Sequence, residues 1–361
     1  MTAPSFHARG VIPACLLPFH DDFSIDEQDF RKHLRFLSTI RGVTSICVNG
    51  HSCEVHTLTA DERNRVIDIA VDEMNGKMPI VAGIYANGSL EAAQQAKDAQ
   101  RHGASALLVF PSYSTIKGGY LRQDMSKTHV RYIAEACDLP LILFQYAYST
   151  GQSYECDTLV ELCEEIPSIA GIKDGIGDPM RHARHIHDLH SLSRRVSVLS
   201  THSTWLLGSL CMGCDGLLSG AGSVIADLQA AMFDAVIRHD LQKAQELDER
   251  MFPIVQKFYA APYLDMHNRM KEVLAHIGRL NRAVVRPPQC RITDKEKAEL
   301  FAMADRAGLT ATGMAGLDWK SSSPHNSPFR RIFILRKGVT FLMMLNNTPS
   351  CLRKSVPLLT E

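Results

Sequence analysis

The sequence predicts a (β/α)8 barrel, and three observations carry that prediction. Eight short apolar runs succeed one another along the chain, and amphipathic helical stretches fill the gaps between them. No Gly-x-Gly-x-x-Gly follows the first run, which disfavours the alternative, an open doubly wound sheet that binds a dinucleotide.

The runs begin at Gly10 (GVIPACLLPF), Thr44 (TSICVNG), Pro79 (PIVAGI), Ser105 (SALLVFP), Pro140 (PLILFQY), Ile169 (IAGIKDG), Val196 (VSVLSTH) and Asp215 (DGLLSGAG). Each has strand length, and none alternates cleanly between apolar and polar, as expected of strands covered on both faces. Between them, Ser24 and Glu27 read as a capping box ahead of Phe30, Leu34 and Leu37, with Gly42 as the stop. Thr59 and Glu62 repeat that signature before Val66, Ile69 and Met74, and an Ala-rich helix from Leu90 to Arg101 ends at Gly103. Further helices are expected near 120–137, 155–165, 179–190, 203–212 and 223–238. Residues 241–307 read as extra helices packed outside the barrel. The barrel with this extension is placed at 8–310, and 311–361 is a separate tail. From Gly313 the tail is Ser/Pro/Asn-rich and then basic, with seven basic residues against two acidic; it reads as a poorly ordered appendage, with an edge strand or interaction segment as alternatives.

Composition narrows the function. Basic and acidic residues balance at 39 each, so bulk electrostatic binding to nucleic acid or an anionic membrane is not expected. No window reaches the length of an apolar membrane span, and no secretory signal is expected from the opening residues. The ten scattered cysteines read as reduced, mostly buried thiols of a cytoplasmic protein.

A barrel's active site lies where its strands end, so the strand ends supply the candidates. They are Gly50, His51 and Ser52 after the second run, Tyr113 after the fourth, and Phe144 and Tyr146 at the fifth. Lys173 and Asp174 end the sixth run, His202 follows the seventh, and Leu218 and Ser219 end the eighth. A lysine sheltered in a barrel mouth loses part of its preference for the charged form and becomes a nucleophile toward ketones. The competing reading of Lys173 is a structural salt bridge to Asp174 or a neighbour. His51, Cys53 and His56 in HSCEVH offer metal-ligand residue types, and Cys211 and Cys214 form a lone CxxC; neither is taken as a metal or redox site, and no metal or cofactor is expected. The SGAGS turn after the eighth run sits where some barrels bind phosphate, with a turn whose amides face a carboxylate as the alternative. His202 is read as contacting the distal part of the substrate or as a polar rim residue.

In this order and spacing, PACLLPF, NGHSCEVHTLTADER, ALLVFPSY, GIKDG and GLLSGAGSV resemble the dihydrodipicolinate synthase / N-acetylneuraminate lyase family from about Gly10 to Leu309. The resemblance implies a barrel that forms a Schiff base with pyruvate or a related 2-oxo acid, assembled as a homo-oligomer, dimer or tetramer. It makes Lys173 the imine-forming residue, and Gly50, His51 and Ser52 the carboxylate-binding turn. Tyr113 becomes part of a proton relay across a subunit contact. Two departures follow: Phe144 stands where the family's proton-carrying tyrosine is expected, and Ser149 where many members carry an arginine. Alternation along the strand puts Phe144, Tyr146 and Tyr148 on one side, so Tyr146 is the candidate for the missing hydroxyl, against a reading as an ordinary rim aromatic. The functional expectation is a lyase that cleaves or dehydrates a hydroxylated 2-oxo acid. The alternatives are a condensing synthase, a catalytically retired binding or regulatory barrel, and a metal- or phosphate-dependent aldolase.

Overall fold

A computed structural model describes residues 6–314. Eight parallel strands are present: β1 (Gly10–Pro13), β2 (Ile46–Val48), β3 (Ile80–Ile84), β4 (Ala106–Val109), β5 (Leu141–Gln145), β6 (Ile169–Asp174), β7 (Ser197–Ser200) and β8 (Gly216–Ser219). They run in sequence order round the sheet, β1 pairs β8, and the ring closes through parallel bridges from Val11 to Val43 and Ala14 to Cys47. Nearly every strand residue is buried, which is why the runs lack alternation. The barrel interior is filled by one or two inward side chains per strand, among them Ile12, Cys47, Val81, Leu108, Ile142, Leu199 and Leu218.

The helices between strands are α1 (Glu27–Thr39), α2 (Ala60–Met74), α3 (Ser89–Arg101), α4 (Gln123–Ala134), α5 (Cys156–Glu165), α6 (Pro179–His190), α7 (Leu206–Cys211) and α8 (Gly222–Ile237). The Thr59–Glu62 capping box forms in full. The expected box at Ser24 does not: Asp26 caps α1 by accepting from Asp29 N, while Ser24 donates to Asp22. A carboxylate directly preceding the first helical residue reaches the orphan amide, and Ser24 is two residues too early to do so.

Three helices follow the barrel: α9 (Leu241–Phe258), α10 (Met266–His276) and α11 (Asp294–Ala307). They were expected on the outside, but α10 is buried along the run from Met266 to Leu274 and packs against the turn that follows β2, at the barrel mouth. A two-residue strand, β9 (Leu309–Thr310), at the end of the expected barrel segment, pairs antiparallel with β10 (Gly313–Met314), at the start of the segment expected to be a tail. The remainder of that expectation, 315–361, lies outside the described residues. Among the described residues no helix is long and apolar enough to cross a membrane.

Candidate active site

Lys173 is held in place by strand register. It pairs with Phe144 on β5 and Leu199 on β7, both members of the interior cluster, so its side chain also points into the barrel. It is only 4% exposed. Its Nζ lies 3.9 Å from the centroid of the Phe144 ring. Burial pulls its pKa down to about 8, and its electrostatic neighbour Cys47 is a buried thiol pushed up to about 12, hence neutral. Among the described residues no carboxylate forms an ion pair with Lys173.

Asp174 is not its partner. One residue further along β6, it faces out of the barrel toward α6, where Oδ2 accepts from His182 Nδ1 and His185 Nδ1, each at 2.8 Å, and Oδ1 accepts from the Ile176 amide. Burial alone would raise this carboxyl, but these hydrogen bonds hold it well below the ordinary range. Asp174 in turn overcomes the burial of both histidines and raises them to about 9. Asp174, His182 and His202 offer ligand atoms within 4.8 Å of one another. His182 already uses both nitrogens, the second against Ser209 Oγ at 2.8 Å and Cys214 Sγ at 3.1 Å, so the cluster reads as a hydrogen-bonded support for β6.

The mouth above Lys173 opens into a cavity of about 700 Å3. Six of the ten expected site residues line it: His51, Ser52, Phe144, Tyr146, Lys173 and His202. Phe144 and Tyr146 stack with ring centroids 4.2 Å apart, as alternation implied, and a 2.8 Å hydrogen bond joins Tyr146 Oη to His51 Nε2. Burial, reinforced by Lys173, holds His51 neutral, and burial raises the Tyr146 phenol well above its usual value. The two groups thus share a proton between neutral partners across the mouth. His51 and Ser52 open a short helical turn whose first amides have no intrahelical acceptor. That turn rests on β3 at Gly83, where a Cβ would fall 2.0 Å from the Asn49 carbonyl oxygen, so only glycine lets it sit there.

The other four expected residues lie outside the cavity lining. Leu218 lies in the closed interior and does not line the cavity. Ser219 is turned away, bonded to Gln229 and the Gly222 amide. Gly50 is beneath the turn, against Ala14 and Cys47. Tyr113 is half exposed on a short helical turn beyond β4, outside the cavity lining. The phosphate reading of SGAGS meets occupied amides: Ala221 N donates to Tyr259 Oη, Gly222 N to Ser219 Oγ, and Ser223 N to the Gly220 carbonyl. In HSCEVH, Cys53 packs on Cys15 while His51 turns to Tyr146, so the side chains do not converge on a metal. In the CxxC, Cys211 is exposed and Cys214 is buried against His182.

The sequence reading missed the wall supplied by the extension. Tyr259, Tyr263, Leu264, Met266 and His267 line the cavity. His267 Nε2 donates to the His51 carbonyl at 2.6 Å, so α10 grips the turn after β2 itself. Beside it, the buried Lys271 donates to Glu54 Oε1 at 2.5 Å, while Arg286 N and Gln289 Nε2 donate to Oε2, each at 2.9 Å. The only signal in the text was the aromatic and proline cluster FYAAPYLDMH between two helical patterns.

The comparisons agree with this architecture. The model of the dihydrodipicolinate synthetase family matches residues 7–307. The 4-hydroxy-tetrahydrodipicolinate synthase of Methanopyrus kandleri is 34% identical over 251 residues, 69% of this chain and 81% of that one. That of Methanosarcina mazei is 30% identical over 302 residues, 83% of this chain and 99% of that one. A crystal structure of dihydrodipicolinate synthase superposes with a TM-score of 0.74 at 25% identity, covering 83% of this chain and 99% of the other. A prophage protein of the same family from E. coli, solved in complex with pyruvate, superposes with a TM-score of 0.77 at 23% identity, covering 84% and 99%. With a buried lysine ending the sixth strand of a closed barrel and the family model spanning that barrel from end to end, this chain belongs to the dihydrodipicolinate synthetase family.

Proposed function

We propose that the protein is a Schiff-base lyase that cleaves or dehydrates a hydroxylated 2-oxo acid, with pyruvate or a close relative as the imine-bound half. The observation that supports this reading is Lys173: buried, with no carboxylate partner among the described residues, lowered to about 8, and at the floor of a cavity. Its neutral amine adds to the substrate's C2 carbonyl and water leaves. The protonated imine then accepts the electron pair of the neighbouring bond as that bond breaks. The amides of His51 and Ser52, with the Ser52 hydroxyl and Gly50 beneath them, hold the substrate carboxylate, and the Tyr146–His51 pair moves the proton that Phe144 cannot. Tyr113 acts in a homo-oligomer, where a second copy covers the exposed Tyr113, Ile116 and Leu121 segment.

The names of the relatives favour a second reading, condensation with an aldehyde that carries its own carboxylate. Against it, no arginine lines the cavity among the described residues. Incubation with a panel of 2-oxo acids, borohydride reduction and peptide mass spectrometry tests the imine. A reduced adduct on Lys173 is expected, and Lys173→Ala abolishes it together with turnover. An adduct without turnover would identify a retired scaffold, and chelator-sensitive activity without an adduct would identify a metal enzyme.

A further inference from the structure

Resting on the imine reading, we propose that the carbonyl fragment released or joined at this site is a flat, uncharged, aryl-type aldehyde. A carboxylated, phosphorylated or polyhydroxylated fragment does not suit the cavity. A cavity of about 700 Å3 is far larger than a three-carbon oxo acid needs, so the space beyond Lys173 belongs to the second fragment. Its far wall is aromatic and apolar: Tyr259 and Tyr263 stack with centroids 5.6 Å apart, next to Leu264 and Met266, and Tyr85 also lines the space. Two of the polar handles of this wall are already engaged, and the hydroxyls of Tyr85 and Tyr263 are neutral donors that carry no charge. Tyr259 Oη accepts from the Ala221 amide, and His267 engages Leu264 O and Gln289 with Nδ1 and the His51 carbonyl with Nε2. Among the described residues the lining contains no arginine, aspartate or glutamate, and its single lysine is consumed by the imine. A second anion would therefore be desolvated with no cation to receive it, whereas a ring buries its faces against rings. The threonine and serine hydroxyls of the β7 loop suit the one hydroxyl at C4 and cannot neutralise a charge.

In the condensing direction, Lys173 Nζ adds to C2 of pyruvate and water leaves. C3 then gives up a proton, and the resulting enamine forms a C–C bond to the aldehyde carbon, whose oxygen takes a proton. Water hydrolyses the imine, freeing the amine and a 4-aryl-4-hydroxy-2-oxobutanoate. Cleavage is the reverse, and no redox partner enters.

The test uses the full chain in two steps. Pyruvate with borohydride first reports the adduct on Lys173; its absence overturns the imine reading and this proposal with it. Pyruvate is then paired in turn with benzaldehyde, glyceraldehyde and succinic semialdehyde, and products are followed by chromatography and mass spectrometry. The expected kcat/KM for benzaldehyde exceeds both others by about tenfold or more. An adduct with equal or better use of the hydroxylated or acidic aldehyde overturns this inference alone. Tyr263→Ala, at an exposed position, is expected to shrink that preference by about tenfold; an unmoved ratio would remove the Tyr263 wall from substrate recognition.

Discussion

Lys173 and Phe144 face each other on neighbouring strands, and that pairing decides how protons travel. A lysine lowered to about 8 is neutral in about one molecule in ten at pH 7, against fewer than about one in a thousand for an unperturbed amine. Because the neutral amine is the nucleophile, imine formation should rise with pH and level off above about 8, as measured by the rate of borohydride-trapped adduct. With a phenyl ring over the amine, the hydroxyl proposed to take its place is that of Tyr146, one layer higher and bonded to His51. Tyr146→Phe should therefore lower turnover by about 100-fold or more while the ascending limb of the adduct profile stays at the same pH. Unchanged turnover would make Tyr146 a rim aromatic only. Lys173 was legible in the text because a charge ending a buried apolar run is visible in one line of sequence. The Tyr146–His51 bond was not, since it joins residues 95 apart and depends on how far each strand end projects over the mouth.

Among the elements, β6 carries the proposed nucleophile, and α6 supports the strand from outside. Asp174 ties the strand to two histidines of that helix, and both are raised from 6.5 to about 9. Groups raised on folding contribute stability that is fully present below pH 6.5 and lost as pH climbs through about 9. Urea unfolding should accordingly give a lower midpoint above about pH 9 than at pH 6.5. Asp174→Asn, which leaves buried histidines without their anion, should cost about 3–5 kcal/mol. A pH-independent midpoint in the wild type would contradict the protonated pair. Strands and capping signals were readable at this scale wherever the chemistry is local, as at Thr59 and Glu62. The start of α1 misled because Ser24 and Asp26 both suit a cap, and only backbone geometry selects Asp26.

For the whole molecule, the question is where the last helices belong. Periodicity shows that α10 has an apolar face, but it does not say which layer receives that face, so the extension looked external. Its burial at the mouth rests on Glu54, a left-handed residue with φ 55° whose carboxylate gathers Lys271, Arg286 N and Gln289. Glu54→Gln should lower the thermal midpoint by about 5 °C or more and raise KM, because Lys271 loses its counter-charge beside the substrate turn. Adding Lys271→Met, an apolar side chain of similar length, should recover most of the midpoint. If the single variant melts like the wild type, the buried pair is not what anchors α10.

The wall built by residues 259–267 is also the last part of the catalyst to be synthesised. A ribosome that has passed residue 240 has already made the nucleophile and every strand around it, yet the mouth is still unroofed. In order of synthesis, the buried amine and the barrel that holds it therefore precede the wall that closes the cavity above it.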